Sequence, residues 1–276
     1  MKSGVPQNWF CTRRDESRGV EALRAGLRTH SYSRHAHETY AIGVTEAGSQ
    51  SFWCRGVRNR TRPGSVILFA PLDLHDGHAT TDEGVVYRML YLDAERLERA
   101  ARERGRLSGF RAAVADHLPL AAAILRYARE IDGGDDTLAA SEAYLVLVEA
   151  LVGLAGEGRP LGERLPPTLT RVRERMHDEM AERLTVEDLA EVARLGRFQL
   201  LRAFSRRFGL PPSDYLRTIR LEAAKRRLAA GEAPADVAAA VGFVDQPHLT
   251  RLFKRAYGVT PGAYRGDFRP AGGPSR

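Results

Sequence analysis

Residues 242–265 read GFVDQPHLTRLFKRAYGVTPGAYR. Within this stretch Leu249, Leu252, Phe253 and Ala256 fall at i, i+3, i+4 and i+7, the spacing of one apolar helix face. Gln246, Thr250 and Lys254 step by four, as do Pro247, Arg251 and Arg255, so they share a different face. That second face carries an amide, a hydroxyl and three cations, and no acid after Asp245. Asp245 suits an N-cap, Pro247 is tolerated in a first turn, and Gly242 supplies the φ > 0 of a tight turn plugged by Phe243. Taken alone, such a helix is as well explained by a solvated amphipathic surface. The rest of the chain decides between the two readings.

The stretch is the second copy of a repeat. Leu200, Arg202, Phe204, Gly209, Pro212 and Tyr215 recur 49 residues later as Leu249, Arg251, Phe253, Gly258, Pro261 and Tyr264. Upstream of each turn the shift is 48, matching Leu189, Ala190 and Leu195 to Val237, Ala238 and Phe243. Each unit reads as a short helix, a tight turn and a longer helix ended by Gly, followed by a Pro and a Tyr. This is the helix-turn-helix plan. Helices are expected at about 168–182, 185–193, 197–208, 213–230, 235–241 and 245–257.

Two copies at this separation resemble the AraC/XylS family of transcription regulators. The DNA-binding domain of that family holds two helix-turn-helix units joined by a long helix, here expected over residues 214–231. The resemblance implies base contacts from Phe198, Leu201 and Arg202 in the first recognition helix. In the second it implies Gln246, Pro247, Thr250 and Arg251. The two arginines suit bidentate reading of guanine, worth ~1–3 kcal/mol of discrimination each. Phe198 and Leu201 offer apolar contact, for example with a thymine methyl, or ordinary packing. Arg197, Arg206, Lys254 and Arg255 are expected at phosphates, which set affinity and salt dependence rather than sequence preference.

Charge supports a polyanionic partner for this half. Residues 1–160 hold 21 Lys+Arg and 21 Asp+Glu, so residues 161–276 hold 42−21=21 basic against 35−21=14 acidic and carry the whole +7. The length of 276 residues suits two domains. Two cysteines, Cys11 and Cys54, are too few and too far apart for a disulfide framework or metal-ligand spacing and suit a reducing cytosol. The first residues have no apolar signal region, and no run is expected to reach the roughly 18 apolar residues of a membrane span. A cytoplasmic protein without a membrane partner is expected.

The first half reads as β structure from about Thr29 to Asp93. ETYAIGVTEAGSQSFWCRG alternates and turns at Ala47-Gly48, and PGSVILFAP and GVVYRMLYL are short buried runs. Helical patterns follow over residues 93–104, 117–131 and 137–155, and the last two carry apolar stripes suited to a homodimer or to packing on the barrel. The expected organisation is α+β in two domains. Residues 1–156 form a cupin-like β-barrel with flanking helices, 157–167 a Pro/Gly-rich linker, and 168–276 an all-α double helix-turn-helix domain.

SRHAHETYAIGVTEAG and PGSVILFAPLDLHDGH resemble the cupin-type sensory domain of many AraC-like proteins, over about residues 30–92. That resemblance points to a small-molecule effector, with Tyr40, Trp53, His75 and Tyr87 as candidate lining or plain core. It also raises a divalent metal on His35, His37 and His75. Metal-binding cupins place a Glu about four or five residues after the second His, where Ala41 and Ile42 stand here. The histidines are therefore read as capping the barrel mouth, with no cofactor favoured. The expected function is a promoter-binding regulator, an activator by family tendency, controlled by effector or dimerisation and in contact with RNA polymerase, with no catalytic residues. The alternative is a metal-dependent cupin enzyme with an accessory helical domain.

Overall fold

The computed structural model describes residues 8–28, 31–105, 107, 109–133, 137–155 and 166–267. Its contacts divide them into two compact units. The first comprises the described residues of 1–33, 38–161 and 267, and the second those of 34–37 and 162–266. The expected linker, 157–167, lies outside the described residues apart from Pro166 and Pro167.

Among the described residues nine strands come first: β1 (Trp9–Asp15), β2 (Val20–Leu27), β3 (Ser31–His35), β4 (Tyr40–Gly48), β5 (Gln50–Cys54), β6 (Val57–Arg60), β7 (Val66–Phe69), β8 (His75–Ala79) and β9 (Val85–Leu92). After them come α1 (Ala94–Ala101), β10 (Val114–Ala115), α2 (Leu118–Gly133) and α3 (Thr137–Ala155). The strands form one sheet in the order β1-β2-β9-β4-β7-β10 and another in the order β3-β8-β5-β6. The turn expected at Ala47-Gly48 is a corner: β4 belongs to the first sheet and β5 to the second. Between the sheets lies a core that includes Leu27, Ile67, Phe69, Val85, Tyr87 and Met89 from the first and Phe52 and Cys54 from the second. The opposite face of the larger sheet, with Val20, Tyr40, Ile42, Leu68, Leu90 and Leu92, packs in one cluster with α1, α2 and α3. Strand alternation thus serves two cores, as period-two side-chain placement requires.

Two strands lie upstream of the expected β region. β1 reads WFCTRRD and β2 reads VEALRAGL, the latter rich in helix formers. Pairing with β1 on one side and β9 on the other overrides that local preference. The helix α3 also departs from expectation. Thr137–Leu154 is long and apolar enough to cross a membrane by length and composition, with a mean hydropathy of 1.6. In the fold Ala143, Tyr144, Leu147, Val148 and Leu151 are buried in the helix-facing core, so this face of α3 is a core face.

The second unit is helical: α4 (Pro167–Asp178), α5 (Val186–Ala193), α6 (Arg197–Phe208), α7 (Pro212–Ala229), α8 (Pro234–Ala240), α9 (Gln246–Tyr257) and α10 (Pro261–Asp267). Helices α7, α8 and α10 start at a proline, where the missing N–H is no loss. The helix α10 completes the second copy of the repeat and was not among the helices expected from the sequence.

Candidate nucleic-acid interface

The repeat in sequence is a repeat in structure. Helix α6 ends at Gly209 with φ 74° and α9 ends at Gly258 with φ 80°, both left-handed C-terminal caps. Behind each cap a buried tyrosine meets a buried phenylalanine edge-on, Tyr215 on Phe204 at 5.4 Å and Tyr264 on Phe253 at 5.5 Å. The turn into α9 has Gly242 at φ 81°, and the matching position before α6 is Arg194 at φ 51°. A non-glycine in that region is uncommon, and the backbone N–H of Arg194 satisfies the carbonyls of Ala190 and Glu191 there. Several helix starts are capped. Asp245 accepts from the His248 backbone N–H at 2.6 Å, Gln199 Oε1 accepts from the Gly196 N–H at 3.0 Å, and Thr185 and Asp188 form a reciprocal capping box ahead of α5.

The connecting helix α7 ties these parts together. Arg220 donates to the carbonyls of Met180 (2.6 Å) and Glu182 (2.8 Å), beyond the end of α4. The buried Glu222 accepts from Tyr257 Oη at 2.9 Å, at the last residue of α9. Its other oxygen-sharing partner is the Nδ1 of His37 at 3.0 Å, in the tetrapeptide that belongs to this unit. Burial pushes the Glu222 carboxyl up, but the His37 hydrogen bond and the Lys225 charge outweigh it and hold the group down at about 2. Helix α9 is thus fixed to the connecting helix by a charged, hydrogen-bonded network.

What α6 and α9 turn outward matches between the copies. Leu200, Phe204 and Phe208 are buried on α6, and Leu249, Phe253 and Ala256 on α9. Phe198 (73% exposed), Arg202 and Arg206 are exposed on α6, while Leu201 is half-buried. Gln246, Pro247, Arg251, Lys254 and Arg255 are exposed on α9, with Thr250 half-buried. Arg197 is exposed too, and its guanidinium is held by Glu187 at 2.9 Å. Val244, at 88% exposed, stands just before the cap of α9, outside the set of residues expected from the sequence. Its signal was only its place next to Phe243, one residue buried and the next outside.

The four candidate effector-pocket residues do not share one lining. Tyr40 is in the helix-facing core, with its hydroxyl 3.3 Å from Glu98. Tyr87 is in the core between the sheets, hydrogen-bonded to Tyr32 Oη at 2.7 Å. They lie on opposite faces of the larger sheet, which removes Tyr40 from any cavity that Tyr87 lines. His75 is buried, stacked on Phe69 at 3.8 Å with its Nδ1 2.8 Å from the Asp73 carbonyl, and Trp53 is half-buried. The three imidazoles considered for a metal are divided between the units, His35 and His37 in the second and His75 in the first. His37 lies two residues beyond the end of β3, which His35 closes.

Comparison with known proteins agrees with this architecture. Residues 18–148 match the family of AraC-like ligand binding domains, and residues 189–267 match a helix-turn-helix domain family. The HTH-type transcriptional regulator YbfI of Bacillus subtilis, itself uncharacterised, is 30% identical over 235 residues, 83% of this chain and 86% of its own length. The HTH-type transcriptional regulator MtrA of Neisseria gonorrhoeae is 33% identical over 106 residues, 37% of this chain and 33% of MtrA. Among solved structures, ToxT from Vibrio cholerae shares the fold with a TM-score of 0.67 at 11% identity, covering 91% of this chain and 99% of ToxT. ToxT bound to an unsaturated fatty acid gives 0.64 at 14% identity, covering 97% and 98%.

Fold and matches together define a DNA-binding transcription regulator with an N-terminal domain of ligand-binding type. The chain belongs to the AraC family of transcription regulators.

Proposed function

We propose that this regulator reads promoter DNA with α6 and α9 in successive major grooves. The carrying observation is that Arg202 and Arg251, equivalent in the repeat, are both exposed on helices of one compact unit that bury Leu200, Phe204 and Phe208, and Leu249, Phe253 and Ala256, on another face. In this reading Arg202 and Arg251 contact guanines, Gln246 and Thr250 add polar base contacts, and Phe198, Leu201 and Pro247 add apolar ones. Arg206, Lys254 and Arg255 meet phosphates, and so does Arg197 once it exchanges the Glu187 carboxylate for a phosphate oxygen. Genome-wide mapping of bound fragments, followed by titration of a recovered site, tests this reading. Arg202→Ala with Arg251→Ala should weaken the specific site by about 2–6 kcal/mol in sum, at ~1–3 kcal/mol each. Undiminished preference for the site would overturn the assigned faces.

The proposal extends to a homodimer. Leu138 (68% exposed) and Leu145 (61% exposed) stand seven residues apart on α3 with Val146 beside them. These side chains form an apolar stripe opposite the core face of that helix. A cytoplasmic location, control by a small-molecule effector and contact with RNA polymerase complete the reading; its activating sense rests on the family tendency. The competing reading, a metal-dependent cupin enzyme, lacks an acid ligand where Ala41 and Ile42 are fully buried in β4. Near-stoichiometric iron or zinc in untagged protein would favour that enzyme.

A further inference from the structure

At the outer edge of the larger sheet, a cleft of about 230 Å³ opens between β1, β2, β9 and the C-terminal end of α2. Strand register builds its floor. Cys11 pairs with Arg24, and Arg24 pairs with Arg88, so these three side chains form one row across three strands. Arg13 pairs with Ala22 one row further along, and the small Ala22 leaves the space open. Trp9 pairs with Gly26, and its indole lies directly on that glycine: a Cβ there would come within 2.3 Å of the ring nitrogen. The indole is thereby held as a wall, with the Arg24 guanidinium 5.6 Å from the ring centre.

The charges in the cleft do not cancel. Arg88 is shared between Glu46 (3.1 Å) and Asp132 (2.7 Å), and Arg24 takes the other oxygen of Glu46 at 2.7 Å. The hydrogen bonds from Arg24 and Arg88 outweigh the burial that pushes the Glu46 carboxyl up, and hold it below the usual range. Two cations and two anions are thus committed to one another. Arg13 is the third guanidinium lining the cleft, and its bonds are to the Thr12 carbonyl (3.0 Å) and the Cys11 sulfur (3.6 Å). Among the described residues it has no carboxylate partner. An arginine fork that meets no acid, beside a fixed aromatic wall, is complementary to a carboxylate carried on a compact apolar body. The volume falls below the ~300–1,000 Å³ of drug-sized sites, which limits the guest to a single-ring or short-chain compound.

We propose that this cleft binds a small organic carboxylate, with Arg13 taking the carboxylate and Trp9 the body. The residues that line it all belong to the first unit, and none of them is in the core between the sheets that holds Tyr87 and Phe69. Its test therefore involves no DNA.

Cys11 is exposed at the cleft and reports occupancy, whereas Cys54 is buried and its thiol is pushed up to about 12 by burial, with Asp73 adding to the effect. Alkylation of Cys11 by iodoacetamide, followed by peptide mass spectrometry on the full chain, is measured with phenylacetate, with its neutral counterpart 2-phenylethanol and with inorganic phosphate. Phenylacetate should slow the reaction saturably, about tenfold at ten times its Kd. Phenylethanol and phosphate should not protect at the same concentration. Arg13→Gln should abolish protection relative to its own ligand-free rate. Gly26→Ala, which displaces the indole, should weaken protection, and Trp9→Ala does the same if the glycine variant fails to fold. No protection by phenylacetate, equal protection by phosphate or phenylethanol, or protection that survives Arg13→Gln would each overturn the proposal.

Discussion

Gly242 and Gly209 share a left-handed backbone, with φ of 81° and 74°, yet they differ in what surrounds them. A Cβ built at Gly209 meets nothing within 4 Å. At Gly242 it would lie 2.6 Å from the Ala181 carbonyl oxygen, 2.7 Å from its Cα and 2.9 Å from its carbonyl carbon, all backbone. Gly209→Ala therefore carries only the conformational cost of φ > 0 for an L-residue, about 1–2 kcal/mol. Gly242→Ala carries that cost plus the displacement of the segment after α4, for which overpacking of a fixed neighbour adds about 1–3 kcal/mol. The expected losses are about 1–2 kcal/mol at Gly209 and about 2–5 kcal/mol at Gly242. Both tryptophans lie in the first unit, so hydrogen–deuterium exchange of the α5–α9 amides is the assay that isolates the helical unit. Equal losses at the two glycines would refute the claim that α8 and α9 turn directly against the Ala181 backbone. The same reasoning gives Arg194→Gly the opposite sign, a gain of up to about 1 kcal/mol, because φ 51° suits glycine better than arginine.

Further expectations follow from the caps and from the buried charge. Asp245→Ala removes the acceptor for the His248 N–H and should cost about 1 kcal/mol by denaturant unfolding, with exchange rising first at the start of α9. Glu222 has a carboxyl held down at about 2, so its contribution is fully present above the unfolded value near 4.5 and is lost as pH falls towards 2. Glu222→Gln should cost about 3 kcal/mol at pH 7, and the gap from the parent should hold down to about pH 5 and narrow below 4.5. A gap that widens on acidification would contradict the assigned network. On a recovered DNA site, log K should fall linearly with log salt, and Lys254→Ala and Arg255→Ala should each reduce that slope by about 1 without changing base preference.

The helical half was legible in the sequence because its repeat fixes several constraints at once. Gly258, Pro261 and Tyr264 mark a cap, a helix start and a buried ring, and each finds the same structural role as Gly209, Pro212 and Tyr215. The exposed faces of α6 and α9 follow from the same periodicity. The sheet half was less legible. β2 carries Ala, Leu, Glu and Arg at strand positions, and only its pairing with β9 makes it extended. The separation of Tyr40 from Tyr87 depends on which side of a shared sheet each strand residue faces, which no single strand pattern states. The cleft beside Trp9 was out of reach for the same reason: its row of Cys11, Arg24 and Arg88 exists only through the register of three strands.

The most direct measurement is hydroxyl-radical footprinting of the protein on a recovered site, repeated with Arg202→Ala and with Arg251→Ala on a library of single-base changes. Two protected patches should lie on one face of the duplex about one helical turn, ~34 Å, apart. Each variant should relax base preference within one patch and leave the other intact. A single patch, or two variants that relax the same base pairs, would contradict the reading of two grooves by one chain.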